Sequence, residues 1–292
     1  MPVWKVPIMI PVLSDPSFPR LWGARLPAAA GIACLLTVGV SQAQSPPPPA
    51  VDTPRPTAAE ARGQVDAAVG RLTCAGVETT ETGKGLRIAG YVGSSEDAGV
   101  LKAALTALPP GIDLDAQVAV RPWPLCEALG IAGLAGGPKE SPEGQGADAP
   151  TLGFNRPLNK PSLVYRKGET LEITVTAGMP GHLTVDYIDT DGSVIHMVPM
   201  RLRPDDRVEA GRRVTLGVAK SATDRIYTIS PPFGPAMILA LVTRDPLFPA
   251  DREEVEPAGP YLAGLRAALA ALPADAKGAI AVRSAVLTTV AE

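Results

Sequence analysis

Histidine is nearly absent from this chain, at two residues in 292, aromatics make up 4% of it, and there are only three cysteines. Two histidines, His182 and His196, far from any cysteine, do not supply the three or four ligands a zinc site takes. No G-x-S-x-G elbow occurs, which removes the commonest serine-hydrolase arrangement. Gly83-Lys84-Gly85 precedes an expected strand rather than a helix, so no phosphate-cradling loop or dinucleotide fingerprint is present. No basic cluster occurs, and the formal net charge is −3. An acidic chain of this kind is a poor nucleic-acid binder, and that class is excluded.

What is abundant is proline, at 32 residues, much of it in two clusters. This pattern points to folded units joined by stiff or polar connections. Residues 1–43 read as a signal peptide. Lys5, Arg20 and Arg25 precede the apolar run Leu26 to Val40, and Ser41-Gln42-Ala43 offers small residues for cleavage. That run has 15 residues, short of the roughly 20 a membrane span needs. The competing reading is an uncleaved anchor, and membrane contact is expected only in that case. The segment carries three basic residues and Asp15, so the chain from residue 44 onward has a net charge of −5. Cys34 would leave with the segment. Cys74 and Cys126 then remain in an oxidising compartment, where one disulfide is expected against the alternative of two buried thiols.

Residues 44–56, QSPPPPAVDTPRP, form an expected proline-rich tether. Thr57 and Glu60 make a capping box that opens a helix carrying Val65, Val69 and Leu72. Val77 to Thr82 and Leu86 to Val92 read as a hairpin. Ser94 opens a second helix with Val100, Leu101, Leu105 and Leu108 as its stripe, and Ile112 to Val120 returns as a strand. A folded unit is expected over 57–128, a disordered linker over 129–151, and a second unit over 152–292. In that second unit, short strands at regular intervals predict a β-sandwich. Tyr261 to Leu272 is an amphipathic helix with Leu262, Leu265, Leu269 and Leu272 on one side, and Ala279 to Val290 is a closing strand. The fold class is α+β: a small α/β sandwich followed by a mainly-β sandwich with one C-terminal helix.

Two resemblances bear on these units. Residues 57–126 resemble the BON domain of bacterial envelope proteins. The residues that carry the likeness are Gly85-Leu86-Arg87-Ile88-Ala89-Gly90-Tyr91-Val92, the helix after it, and Leu108-Pro109-Pro110-Gly111-Ile112. It implies envelope attachment or protein contacts and no catalytic residues. The second unit is similar to an uncharacterised bacterial domain that trails serine/threonine kinases and caspase-like peptidases, including kinase tails associated with type VI secretion. Tyr165-Arg166-Lys167-Gly168-Glu169, Gly181-His182-Leu183-Thr184-Val185-Asp186-Tyr187, Asp191-Gly192, Pro231-Pro232-Phe233-Gly234, Asp245-Pro246-Leu247-Phe248 and Tyr261-Leu262 carry this likeness. No kinase or peptidase domain is expected within this sequence, so an enzymatic role of such relatives is not expected to transfer.

The centre of the second unit is a hairpin, Gly181 to Pro199. With Gly192 as the left-handed residue of a three-residue loop, Asp189 faces Ser193 and Asp186 faces His196. Leu183, Val185 and Tyr187 then share a face with Ile195, Met197 and Pro199. The face with Thr184, Asp186 and His196 is the more polar one, and an exposed Asp186–His196 cross-strand pair is expected. Asp186, Asp189 and Asp191 lack the first ligand and distal glutamate of a calcium loop and read as turn chemistry. Ser193, His196 and Asp186 on adjacent strands are poorly placed for a catalytic triad. In Pro231-Pro232-Phe233-Gly234, proline fixes the entry and glycine permits a positive φ. The preferred reading is a rigid turn holding Phe233 in the core, and the alternative is a recognition loop. The expectation is a protein with no catalytic residues, metal or cofactor. Its partners are envelope proteins or peptidoglycan, and its candidate contact residues are Asp186, His196, Pro231, Pro232, Phe233 and Gly234. The second functional reading is a ligand-sensing module acting with a separately encoded kinase.

Overall fold

The computed structural model describes residues 4–5, 57–83, 85–134, 150–156, 163–221, 224–248, 252–272 and 280–292. The expected signal peptide and proline tether lie outside these residues apart from Trp4 and Lys5, as does the expected linker from 135 to 149.

Trp4–Lys5 forms a two-residue strand, β1. Thr57 then caps α1 (Ala58–Val69): its hydroxyl accepts from the Glu60 amide at 3.2 Å, and the Glu60 carboxylate accepts from the Thr57 amide at 2.9 Å. The box satisfies two of the donors that a helix start leaves unpaired. β2 (Ala75–Glu81) and β3 (Gly85–Val92) pair antiparallel. α2 (Ser95–Thr106), capped by Ser94, leads to β4 (Asp113–Val120), which lies parallel to β3. The sheet order is β1-β4-β3-β2. Ala61 and Val65 of α1 pack with Leu101 of α2 over Leu86, Ile88 and Val92. Val100, expected in the α2 stripe, is 42% exposed, because α2 meets the sheet through Leu101 and Leu105.

The chain next forms α3 (Leu125–Leu134), a helix that the expected linker from 129 overlooked. Its Leu125, Cys126, Ala128, Leu129, Ile131 and Ala132 are all buried. The linker expectation rests on the glycine, proline and charge of residues 133–150, whereas residues 125–132 are mostly apolar. A helix this apolar orders because it is covered on more than one side.

The remaining strands are β5 (Thr151–Phe154), β6 (Leu163–Arg166), β7 (Thr170–Leu171), β8 (Ile173–Thr176), β9 (Gly181–Ile188) and β10 (Ser193–Val198). They continue with β11 (Arg207–Val208), β12 (Arg213–Leu216), β13 (Tyr227–Thr228), β14 (Pro235–Thr243) and β15 (Val255–Pro257). After α4 (Ala258–Ala271) the chain closes with β16 (Ile280–Val290). The large sheet runs β15-β10-β9-β14-β16-β6, with β11 on β9. A smaller sheet runs β12-β8-β5, and β13 pairs with β7.

Two hydrophobic clusters hold this part together. One lies between the sheets and includes Tyr165, Ile173, Leu183, Val185, Ile238 and Leu287. The other lies on the opposite face of the large sheet, where Ile188, Leu239 and Leu241 meet Leu262 and Leu265 of α4 and Leu129 and Ile131 of α3. Covered on both faces, β14 is buried at every position and reads as a continuous apolar run rather than an alternating one. The architecture is α+β, dominated by strands.

The disulfide Cys74–Cys126 forms, and it fastens α3 beside the start of β2. Tyr91, on β3, belongs to the same cluster as α3 and α4. Glu127 of α3 accepts from Trp123 Nε1 at 3.2 Å and from Arg266 of α4 at 3.2 Å. Residues 57–134 and the sandwich therefore share a hydrophobic cluster, with α3 between the β3 face and α4. Among the described residues, no helix is long and apolar enough to cross a membrane.

Candidate functional site: a closed acid–histidine network

The hairpin adopts the expected register. The Asp189 amide donates to the Ser193 carbonyl at 2.9 Å, Ile195 pairs with Tyr187, and His196 pairs with Asp186. Gly192 takes the left-handed conformation at φ 84°. The turn aspartates act locally: Asp191 accepts from the Ser193 amide at 2.9 Å and from its hydroxyl at 2.7 Å, and Asp189 accepts from the Thr190 amide at 2.7 Å. Burial raises the Asp189 carboxyl above its ordinary range, and the Thr190 hydrogen bond opposes the shift. Beyond His196 the register slips, and Val185 pairs with Val198 instead of lying opposite Met197. This bulge turns both Met197 and Val198 into the inter-sheet cluster.

The expectation of an exposed Asp186–His196 pair is overturned, since Asp186 is 0% and His196 1% exposed. The physical cause is the helical layer. α3 and α4 cover the face that the hairpin alone would present to solvent. What results is a buried polar network. Asp186 Oδ1 lies 2.6 Å from His196 Nδ1, and Asp186 Oδ2 accepts from the Tyr261 hydroxyl of α4. His196 Nε2 lies 2.8 Å from Glu256 Oε1 on β15, and Arg252 donates to the same Glu256 oxygen. The Arg252 guanidinium stacks 3.8 Å from the Phe248 ring centre and 5.3 Å from that of Tyr261.

Each member follows from local chemistry. β15 pairs with β10 so that Glu256 sits opposite Val194, on the side where His196 also points. Tyr261 falls in the first turn of α4, one helical turn before Leu265 on the same face. Burial pushes the Tyr261 hydroxyl well above its ordinary value, and the Asp186 charge adds to the effect, so Tyr261 stays a donor. Burial lowers the Arg252 guanidinium, opposed by the Asp186 charge. An ionised carboxylate only accepts, so the ring satisfies both Asp186 and Glu256 when both its nitrogens carry protons. In that form two cations face two anions.

This arrangement can hold and orient. It ties hairpin β9–β10, edge strand β15 and helix α4 to one another through charge-assisted bonds. It offers no free imidazole nitrogen to an outside group. Ser193 donates to Asp191, and its geometry makes it a turn residue. Among the described residues, no group of three or more histidine, cysteine, aspartate or glutamate side chains is arranged to hold a metal ion.

The other candidate set lies elsewhere. Phe233 packs against the inter-sheet cluster, on the sheet face opposite to His196. The Gly234 amide donates to Thr289 Oγ1 at 3.0 Å, and the Thr289 amide donates back to the Gly234 carbonyl at 2.8 Å. Gly234 does not use a left-handed φ, contrary to expectation. Its role is close approach, because a Cβ there would lie 2.6 Å from Thr190 Oγ1. The loop Pro231-Pro232-Phe233-Gly234 thus buttresses the hairpin turn.

Sequence reasoning paired Asp186 with His196 but missed Glu256, Arg252 and Tyr261 as their partners. Strand β15 has three residues inside the charged run Arg252-Glu253-Glu254-Val255-Glu256-Pro257, which carries no strand periodicity. Tyr261 had a helical signal, though nothing in that signal indicated what its hydroxyl would meet.

Residues 164–246 match a family described as a domain of unknown function, DUF4384. The matched span runs from β6 into the residues just after β14 and includes Asp186 and His196, but not Glu256 or Tyr261. No curated protein and no solved structure matches the chain.

Proposed function

We propose that this chain is a non-catalytic, extracytoplasmic protein-interaction module of the cell envelope. The observation that carries the reading is the closure of the Asp186–His196 network. Both ring nitrogens are held by carboxylates, and the ring is 1% exposed. A general base needs a free nitrogen within reach of substrate. Here the one acid–histidine pair the sequence singled out is spent on fastening elements together.

The disulfide fits an oxidising compartment. The leader-like residues 1–43, the BON-like pattern over 57–126 and the likeness of the second unit to kinase tails support the envelope assignment. Type VI secretion or kinase signalling is the context those likenesses favour. The partner class is an envelope protein or peptidoglycan.

The test is affinity recovery from envelope fractions with the purified chain from residue 44, against a matched chain denatured by reduction. Specific enrichment of the same envelope protein, or of peptidoglycan, in independent preparations supports the reading. Equal recovery by both baits overturns it.

A further inference from the structure

We propose that Arg283 anchors a carboxylate-binding site on the inter-sheet face of β16, opposite Ala240 of β14. The position goes beyond the network and the partner reading above and stands on separate residues. Along β16, Ala281, Ala285 and Leu287 face the inter-sheet cluster, while Val282 and Val286 face the helices. Strand alternation therefore places Arg283 on the inner face, between two alanines. Its partner across the ladder is a third, Ala240 of β14.

Among the described residues, one nitrogen of the guanidinium lacks a partner: Nη1 is buried and has no hydrogen-bond acceptor. Three other partly buried arginines show what the fold does elsewhere: Arg156 holds Glu169, Arg203 holds Asp224 and Arg252 holds Glu256. Leaving a charged donor buried without an acceptor is costly, and such groups are rare in native proteins. Burial alone lowers the Arg283 guanidinium from its ordinary value, with no neighbouring charge contributing.

The missing partner has a definite chemistry. A guanidinium presents paired N–H groups that match a carboxylate in two parallel bonds. One positive charge is neutralised by a monoanion. A phosphate dianion would leave excess negative charge beside a single buried cation, which favours a carboxylate over a phosphoryl group.

The test uses the full chain with acetate as probe, chloride at matched ionic strength as control, and phosphate as competitor class. Wild type is expected to melt several degrees higher as acetate rises, with no such change in chloride. Arg283→Met, which keeps the length and removes the charge, is expected to lose the acetate response while melting no lower than wild type in its absence. Amide NMR shifts of wild type on adding acetate supply a readout that does not depend on the variant folding. Changes are expected at Ala240, Ala281 and Ala285. The proposal is overturned if acetate moves neither melting nor those amides. It is also overturned if Arg283→Met responds like wild type, or if phosphate binds more tightly than acetate.

Discussion

Asp186 and His196 face each other across antiparallel strands, 2.6 Å apart, with essentially no exposure of either. An exposed cross-strand pair contributes about 0.2–1 kcal/mol. A buried one behaves differently, because removing one partner leaves the other charge unpaired. Asp186→Ala is expected to destabilise by about 3–5 kcal/mol. The check is the urea midpoint at neutral pH, and a loss below 1 kcal/mol would mean that the pair is solvated.

The Tyr261 hydroxyl donates to the second oxygen of Asp186. Tyr261→Phe keeps the ring packing and removes the donor, so a loss of about 1–3 kcal/mol is expected. A double-mutant cycle with Asp186→Ala should show strong coupling. Additive losses would show that the two side chains act independently.

The disulfide closes a sequence separation of 52 residues. In the chain-entropy account, removing it as Cys74→Ala with Cys126→Ala costs about 4 kcal/mol. Because Cys126 lies on α3, hydrogen exchange in the variant should rise first in α3 and at its α4 contact. Faster exchange confined to α1 and α2 would contradict the placement of α3 as the fastened element.

Gly192 holds φ at 84°, and a Cβ there would lie 2.7 Å from the Trp123 ring. Gly192→Ala is expected to cost about 1–2 kcal/mol from backbone conformation, plus the clash. Repeating the substitution in a Trp123→Ala background should recover part of the loss. No recovery would assign the whole cost to φ.

Burial raises both Tyr165 and Tyr227 from the ordinary 10 to about 12, with nearby carboxylates adding to the shift and nearby arginines opposing it. Between these values the unfolded chain has lost tyrosine protons that the folded chain keeps, so stability falls as pH rises from about 10 to about 12. Below about 10 these groups contribute no slope. Urea midpoints across that window should drop, and Tyr227→Phe should flatten the slope. A flat wild-type profile would contradict the burial of these hydroxyls.

The sequence by itself determined what depends on near neighbours along the chain. The Thr57–Glu60 cap, the left-handed Gly192 and the register that sets Asp186 against His196 all arise within a few residues. Turn chemistry and hydrophobic period specify such features before any tertiary contact forms. The pairing of Cys74 with Cys126 was legible from the cysteine count and the leader-like residues 1–43. Tertiary structure alone decided which side of the hairpin is dry. A strand pattern shows two faces but not what covers each. The more polar face became interior because α3 and α4 lie over it. That covering also decided the meaning of Asp186 and His196, since Glu256 and Tyr261 reach them from 60 and 75 residues away. No local signal encodes a partner at that separation. Burial then converts what would be a weak surface pair into a charge network whose loss the fold cannot compensate.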